Sequence, residues 1–261
     1  GANHNLVFYD SSGVHKLFSW GDNTYGQSDI SDNIALNENQ KILDIFSGYN
    51  HNILITYDEQ VDFYSELMSG SIIDELIGIV PVRYEDYYYY YNYDSLYPTA
   101  HALTIHSWGD NTYGQTDTPE LTGIYEGFSA GGYHNSIVLS ENFTTNYGPY
   151  GPGGPGGGEY TIPKSREIVS WGKNDFGQVS AAPTGTYISI SVGADHACVV
   201  DAFGLIECWG SDQSGQLGED SSNSGTGVYM NRNTPTSVDL PTGRTAVAVS
   251  GGEAHTCAIL D

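Results

Sequence analysis

An eight-residue motif recurs four times along the chain and strongly limits what the chain can fold into. Each copy begins with Trp-Gly and ends with Gly-Gln, and the copies start at Trp20, Trp108, Trp171 and Trp209. A second motif alternates with the first and consists of a Gly-rich or small-residue turn, a histidine and an apolar run. Its copies centre on His4, His51, His134, His196 and His255. Recurrence of this kind predicts an array of equivalent units, each packed against its neighbours.

The spacing of the two motifs predicts the size and type of one unit. Around His196 and Trp209, where the spacing is shortest, one period takes about 38 residues, which suits a four-stranded propeller blade. Segments such as Asn52–Tyr57 are short, β-branched and aromatic, and Gly, Asn and Asp bound them. We therefore predict an all-β chain, a β-propeller built from repeats of roughly 38–50 residues. A β-sandwich is the alternative, but it does not explain the repeat.

Three insertions account for the longer periods. They cover the Tyr-rich residues 59–99, the Gly/Pro-rich residues 146–163 and the Ser/Gly-rich residues 218–232. Similar residues surround His4 near one end and His255 near the other, so the sequence holds four periods plus one repeated strand. We expect it to be a stretch of a longer array.

The pattern Trp-Gly-x-Asn-x-x-Gly-Gln, alternating with Gly-x-x-His, resembles the repeats of the regulator of chromosome condensation family. The resemblance covers nearly the whole chain outside the insertions. The copy at Trp209 is the most typical, because Gln216-Leu217-Gly218 completes the family's usual ending. The other copies have shorter endings, which look more like bacterial or algal surface versions. The resemblance implies a β-propeller, usually of seven blades, and raises nucleotide exchange on a small GTPase as one functional hypothesis.

The cysteines predict one disulfide. Cys198 follows a motif histidine by two positions, and Cys208 directly precedes Trp209. The gap around the expected turn at Asp201–Gly204 would place them across a β-hairpin, and a bond there indicates an oxidising compartment. The alternative is buried free thiols in a cytosolic protein. Cys257 stands in the register of Cys198, so its expected partner would lie beyond Asp261.

We assign the motif histidines and tryptophans to structure rather than chemistry. Equivalent residues of a propeller lie in different blades and do not converge, so no metal site and no cofactor are predicted. We expect each histidine to pack and form hydrogen bonds inside its own blade. The indole rings are expected to be buried between blades, as large apolar rings with one polar group.

Charge and motif content exclude several classes of function. Eight basic and 32 acidic residues give a net charge of −24, which disfavours nucleic acid and anionic membrane surfaces as partners. The chain has no apolar run long enough to span a bilayer, so no membrane insertion is predicted. It lacks nucleophile-elbow, metalloprotease, P-loop and dinucleotide motifs, which favours a non-enzyme. Abundant carboxylates leave a polysaccharide-acting enzyme as an alternative.

The insertions carry the candidate contact residues. The acidic tyrosine cluster in residues 84–93 offers flat rings with polar tips, which suit a sugar or a protein partner. Packing on the propeller's own flank is an equal alternative. The candidate contacts are Tyr87, Tyr88, Tyr89, Tyr90, Tyr91, Tyr93 and Tyr150. Asn142 begins a glycosylation sequon just after the strand that follows His134.

Together these features favour a non-catalytic extracellular β-propeller that acts as a structural or binding module. Its expected partners are other protein subunits, including copies of itself in a filament or surface layer, or glycans.

Overall fold

The computed structural model describes residues 1–11, 14–30, 34, 36, 40–58, 103–121, 124–147, 158–218 and 230–261. These residues contain fourteen β-strands and no helix, which confirms the predicted all-β class. None of them forms a helical span that could cross a membrane. In chain order the strands are β1 (His4–Ser11), β2 (Val14–Gly21), β3 (Gln40–Ser47), β4 (His51–Asp58), β5 (Leu103–Gly109), β6 (Ile124–Ala130), β7 (His134–Tyr147), β8 (Gly158–Gly172), β9 (Tyr187–Val192), β10 (His196–Asp201), β11 (Ile206–Gly210), β12 (Arg232–Ser237), β13 (Ala246–Gly251) and β14 (Thr256–Leu260).

The strands form five antiparallel sheets that follow one another along the chain as propeller blades. Blade 1 is β1–β2, blade 2 is β3–β5, blade 3 is β6–β8, blade 4 is β9–β12 and blade 5 is β13–β14. Among the described residues only blade 4 has the four strands predicted for every repeat. In blade 2 the reason is connection length. Only eight residues separate Gln115 from Ile124, too few for an outer strand and its return, whereas 29 separate Gln216 from Ala246.

The apolar core lies between blades rather than inside any one of them. Ile53 and Ile55 of blade 2 pack with Phe128 and Trp171 of blade 3 in one cluster. Val138 of blade 3 packs with blade 4 in the next cluster, and two further clusters join blades 4 to 5 and 1 to 2. Each two- to four-stranded sheet therefore depends on its neighbours to bury its faces, as expected for a repeat array.

Strand direction divides the connections between two faces of the propeller. One face, here called the motif face, holds the turns that lead into the histidine strands and the loops that follow the tryptophan strands. The opposite face, on which β4, β7 and β10 end, is called the insertion face. On it Tyr57 pairs with Leu103, Tyr147 pairs with Gly158, and the predicted turn at Asp201–Gly204 joins β10 to β11.

Blade 3 carries a hairpin that is longer than predicted. The sequence predicts a Gly/Pro-rich insertion over residues 146–163, but the ladder of β7 and β8 continues from Asn142 opposite Pro163 to Tyr147 opposite Gly158. The insertion thus contributes strand on both sides of residues 148–157. Asn142 consequently lies within β7, not just after the strand as predicted.

Candidate functional site

The glutamine that ends each motif fixes the loop after the tryptophan strand, here called the motif loop (residues 20–27, 108–115, 171–178 and 209–216). In every copy the Gln side-chain oxygen accepts a 2.8 Å hydrogen bond from the backbone N–H two residues earlier. Gly114, just before Gln115, has a φ of +76°, a conformation that favours glycine. The fixed Gly-Gln pair therefore shapes the loop, a role that the sequence analysis did not assign.

The backbone carbonyl of the same glutamine binds the following blade. The Gln27 carbonyl accepts hydrogen bonds from Asn52 Nδ2 at 2.8 Å and from Trp108 Nε1 at 3.2 Å. The Gln115 carbonyl accepts equivalent bonds from Asn135 Nδ2 at 2.8 Å and from Trp171 Nε1 at 3.1 Å. The indoles of Trp108 and Trp171 are thus bonded across a blade interface.

Burial of the tryptophans follows from this arrangement. Trp108, Trp171 and Trp209 are at most 6% exposed, as predicted for rings between blades, whereas Trp20 of blade 1 is 53% exposed.

The motif histidines also act between blades, and the prediction that they bond inside their own blade is wrong. His4 Nε2 donates to Asn52 Oδ1 in blade 2, and His51 Nε2 donates to Asn135 Oδ1 in blade 3, both at 2.8 Å. His196 Nε2 reaches Thr256 Oγ1 in blade 5 at 2.9 Å. The partner is the residue that follows the next histidine. Sequence reasoning missed it, although Asn repeats after His51 and His134.

The link between blades 3 and 4 lacks this hydrogen bond. Ala197 occupies the place that Asn52, Asn135 and Thr256 hold in other blades. The fully buried His134 ring lies close to the Ala194 backbone, yet among the described residues neither of its nitrogens has a partner with good hydrogen-bond geometry. An unsatisfied buried polar group costs about 1–3 kcal/mol, so this interface holds a local defect.

Replacing Ala197 with Asn is expected to repair the defect and raise the free energy of unfolding by about 0.5–1.5 kcal/mol. The amide would offer an acceptor to His134 Nε2, as Asn52 does to His4. Urea unfolding of wild type and Ala197→Asn measures the gain. In a His134→Ala background the gain should disappear, because the coupling belongs to the pair. Equal gains in both backgrounds would contradict the assignment.

Burial keeps the inner histidines neutral. It lowers the pKa of His51 and His196 to about 4 and that of His134 to about 3, despite the opposing hydrogen bond from His51 to Asn135. An unfolded histidine titrates near 6.5. As pH falls below that value, these histidines become protonated in the unfolded chain but stay neutral in the folded chain. The contribution of these neutral histidines to the free energy of unfolding is complete above about pH 6.5. It is therefore lost as the pH falls towards 4.

We accordingly expect the free energy of unfolding to be lower at pH 5 than at pH 7, by at most about 2 kcal/mol per inner histidine. Urea unfolding at the two pH values measures the difference. The range stops at pH 5 because burial raises the pKa of Asp44, which acts in the opposite direction at lower pH. Equal stability at both pH values would show that the rings are not held neutral.

The turns before the histidines, here called central turns (residues 1–3, 48–50, 131–133, 193–195 and 252–254), meet at the centre of the motif face. They line a cavity of about 270 Å3. Tyr49 N donates to the Gly132 carbonyl at 3.1 Å, and Gly132 N donates to the Gly193 carbonyl at 3.1 Å. A side chain at Gly193 would collide with the His196 ring and the next central turn, so the motif requires glycine there.

A disulfide joins Cys198 and Cys208, as the spacing predicts. The two residues are direct partners on β10 and β11, and both are fully buried. Cys257, in the same register on β14, is a free and exposed thiol. His255 is also exposed.

One lysine on the motif face joins three blades. Lys173 Nζ lies 5.5 Å from the Tyr113 ring of blade 2, and 5.1 and 5.5 Å from the Tyr133 and Phe176 rings of blade 3. It also forms a 2.9 Å ion pair with Asp195 of blade 4. The only sign of this cluster in the sequence is the replacement of Asp by Lys after one Trp-Gly pair.

The predicted contact residues all lie outside the described part of the chain. They are Tyr87, Tyr88, Tyr89, Tyr90, Tyr91, Tyr93 and Tyr150. The ends of the strands that lead to them are described. The Tyr-rich insertion lies between β4 and β5, and the Gly/Pro-rich one lies between β7 and β8.

Comparison with known proteins supports the repeat assignment. Residues 204–259 match the family model "Regulator of chromosome condensation (RCC1) repeat". No curated protein matches the chain in sequence.

Three solved structures share the fold. Yeast RCC1 (Prp20) bound to Kap60 is 13% identical, with a TM-score of 0.55 over 100% of this chain and 52% of that one. Human WBSCR16 is 12% identical, with a TM-score of 0.58 over 98% and 57%. Prp20p from Saccharomyces cerevisiae, studied for binding to Gsp1p and histones, is 12% identical, with a TM-score of 0.52 over 99% and 53%.

This chain spans just over half the length of each of those propellers. Residues 204–259 thus match the repeat of the regulator of chromosome condensation family, and the chain shares the β-propeller fold of these solved structures.

Proposed function

We propose that this chain is a non-catalytic protein-binding module that works outside the cell, where copies assemble into a filament or surface layer. The observation that carries the proposal is the use of the motif residues. The glutamines, histidines and buried tryptophans form bonds between blades, so they build a rigid frame and leave recognition to the connecting loops.

Two of the insertions leave the frame from adjacent positions. The Tyr-rich insertion follows β4 of blade 2, the Gly/Pro-rich insertion follows β7 of blade 3, and both strands end on the insertion face. Tyrosine supplies large contact area at low cost in conformational entropy, which favours this face as the one that meets other subunits.

The extracellular part of the proposal is supported by the buried disulfide between Cys198 and Cys208, since such bonds persist in oxidising compartments. The low count of basic residues agrees with it. Protein binding is supported by the solved propeller of yeast Prp20, captured with Kap60 in one structure and studied for binding to Gsp1p and histones in another.

Electron microscopy and sedimentation velocity of the purified chain test the assembly. We expect concentration-dependent polymers, and we expect deletion of residues 84–93 to shorten or abolish them because it removes the tyrosine cluster. Deletion of residues 219–228, of equal length but rooted on the motif face, is the matched control and should leave polymers intact. Dispersed single propellers in the wild type would refute assembly, and equal polymers in both deletions would remove the tyrosine cluster from the mechanism.

Nucleotide exchange on a small GTPase is the second candidate. The fold shared with yeast RCC1 favours it, and the net charge of −24 together with the absence of a basic run speaks against it. Release of a fluorescent guanine nucleotide from a panel of small GTPases decides the matter, since an exchange factor accelerates release at substoichiometric concentration.

A further inference from the structure

A groove crosses the end of blade 4 on the insertion face. All four strands contribute to its lining, through Tyr187 of β9, Asp201 of β10, Glu207 of β11 and Ser237 of β12. It encloses about 280 Å3. Three strand spacings make it about 14 Å long. That length suits about four or five residues of a peptide in the polyproline II conformation.

Two apolar side chains line this groove and remain open to solvent. Phe203 is 82% exposed and Leu205 is 56% exposed. Asp201 Oδ1 accepts 2.8 Å hydrogen bonds from the backbone N–H groups of both residues, so the turn that presents them is fixed. Anchors that are ordered before binding lose little conformational entropy when a partner covers them.

The wall of the groove next to blade 3 combines a buried ring with polar groups. Tyr187 is buried and packs with apolar residues of blade 3. Burial, and then the charge of Glu207, raise the pKa of Tyr187 to about 12, so its hydroxyl group stays protonated. The groove thus offers aromatic and aliphatic surface beside polar groups, the chemistry that recognises proline-rich segments.

The charge of the groove limits what can occupy it. Asp201 and Glu207 line it, and within the described part of the chain no lysine or arginine does so. Since the chain has a net charge of −24, an acidic segment of another copy would be repelled. The Tyr-rich and Ser/Gly-rich insertions contain acidic residues, whereas residues 148–157 of the Gly/Pro-rich insertion contain no charged residue. These residues can therefore approach the groove without charge repulsion.

The sequence of residues 148–157 has a period that matches an extended peptide ligand. It repeats Gly-Pro-x three times, so prolines recur at every third position, at Pro149, Pro152 and Pro155. The polyproline II helix has three residues per turn, and prolines with this spacing share one of its faces. In that conformation they can meet the apolar side chains of the groove together, while the glycines allow the backbone to approach closely.

The ladder of β7 and β8 separates this segment from the groove of its own copy. It continues from the pair Asn142 and Pro163 to the pair Tyr147 and Gly158, a length of about 20 Å. The groove lies at the ends of the blade 4 strands, which have no such extension. The segment therefore begins far beyond its own groove, where a neighbouring copy can reach it.

We propose that the groove on blade 4 binds residues 148–157 of a second copy, with the prolines against Phe203 and Leu205. The inference rests on the proposed assembly and names one contact within it, a donor segment and its acceptor surface. Contacts between two different surfaces are heterologous, and they extend into an open polymer unless the rotation closes a ring.

Fluorescence anisotropy tests the contact on the monomeric chain. The probe is a peptide of residues 146–158 with blocked ends and an uncharged fluorescent label, and sedimentation velocity identifies the concentrations at which the chain is monomeric. We expect saturable binding. A matched peptide with alanine at the three proline positions should bind at least about fivefold more weakly, because it lacks the preset extended conformation and the proline ring contacts.

A pair of phenylalanine variants locates the binding surface. Phe203→Ser should weaken binding of the peptide by at least about fivefold, the effect of removing an anchor residue. It should fold, because Phe203 is mostly exposed. The matched control is Phe18→Ser, which removes a phenylalanine that is 49% exposed on β2 and should leave binding unchanged.

A further variant separates a second copy from the chain's own segment as the occupant. It replaces residues 148–157 with Asn-Gly, a two-residue turn that suits the paired Tyr147 and Gly158. This variant should bind the peptide as tightly as the wild type does. Tighter binding would show that each copy fills its own groove, and would overturn the contact between copies.

Absence of saturable binding, equal binding of the alanine peptide, or unchanged binding in Phe203→Ser would also overturn the inference. Polymers of the wild type without peptide binding would reject this groove and keep the assembly. Peptide binding by a chain that forms no large polymers would reject the filament and keep this contact.

Discussion

Replacing Trp209 with alanine is expected to lower the free energy of unfolding by about 3–5 kcal/mol, the range for large aromatic residues in cores. Trp209 is fully buried between blades 3 and 4, and its Nε1 donates to the Gln178 carbonyl at 2.9 Å. The interface lacks the bond that Ala197 cannot make, so the indole bond is one of fewer polar contacts there, beside the ion pair of Lys173 and Asp195. Urea unfolding followed by circular dichroism measures the loss.

Trp20 supplies the matched control for this experiment. It occupies the same motif position in blade 1 but is 53% exposed. Trp20→Ala should therefore cost less than about 1 kcal/mol, since little surface is uncovered. If both substitutions destabilise the chain equally, the tryptophans act through their own loops and not through the blade interfaces.

Removal of the disulfide is expected to have the second-largest effect. The bond closes a short loop, with its cysteines ten positions apart, and chain-entropy estimates give about 2.5–3 kcal/mol for such a loop. The double variant Cys198→Ala, Cys208→Ala should show this decrease in urea unfolding. It avoids leaving polar hydroxyls in the fully buried site.

Cys257→Ala is the control for the disulfide, because this thiol is exposed and unpaired. It should leave stability within about 0.5 kcal/mol of wild type. Reducing agent should lower the stability of the wild type to that of the double variant and leave the double variant unchanged. A wild type that is indifferent to reduction would show that the bond does not contribute to stability.

Much of the fold could be predicted because the sequence repeat marks the equivalent strands of successive blades. Four tryptophans and five histidines at matching positions predicted the blades, and the register of Cys198 and Cys208 predicted their bond. The partner of each histidine could not be read in this way. Periodicity places His51 on a strand, but only the stacking of sheets shows that its ring crosses to Asn135.

Other features were hidden by composition or required comparison among copies. The Gly/Pro-rich character of residues 146–163 concealed the extension of β7 and β8, because pairing there depends on backbone hydrogen bonds more than on side-chain type. Ala197 is visible in the sequence as the one residue after an inner histidine that cannot accept a hydrogen bond. Its cost appears only once His134 is seen to be buried with no side-chain hydrogen-bond partner among the described residues.

The extended hairpin of blade 3 projects from the insertion face of the propeller. Its ladder runs from the pair Asn142 and Pro163 to the pair Tyr147 and Gly158, six residues of strand or about 20 Å. Blade 2 sends out its own insertion from the end of the much shorter β4. The two insertions therefore start at different heights above the same face. In any lattice that uses both insertions, the length of the hairpin determines the gap between neighbouring copies. Shortening β7 and β8 in matched pairs of residues would narrow that gap in steps of about 7 Å.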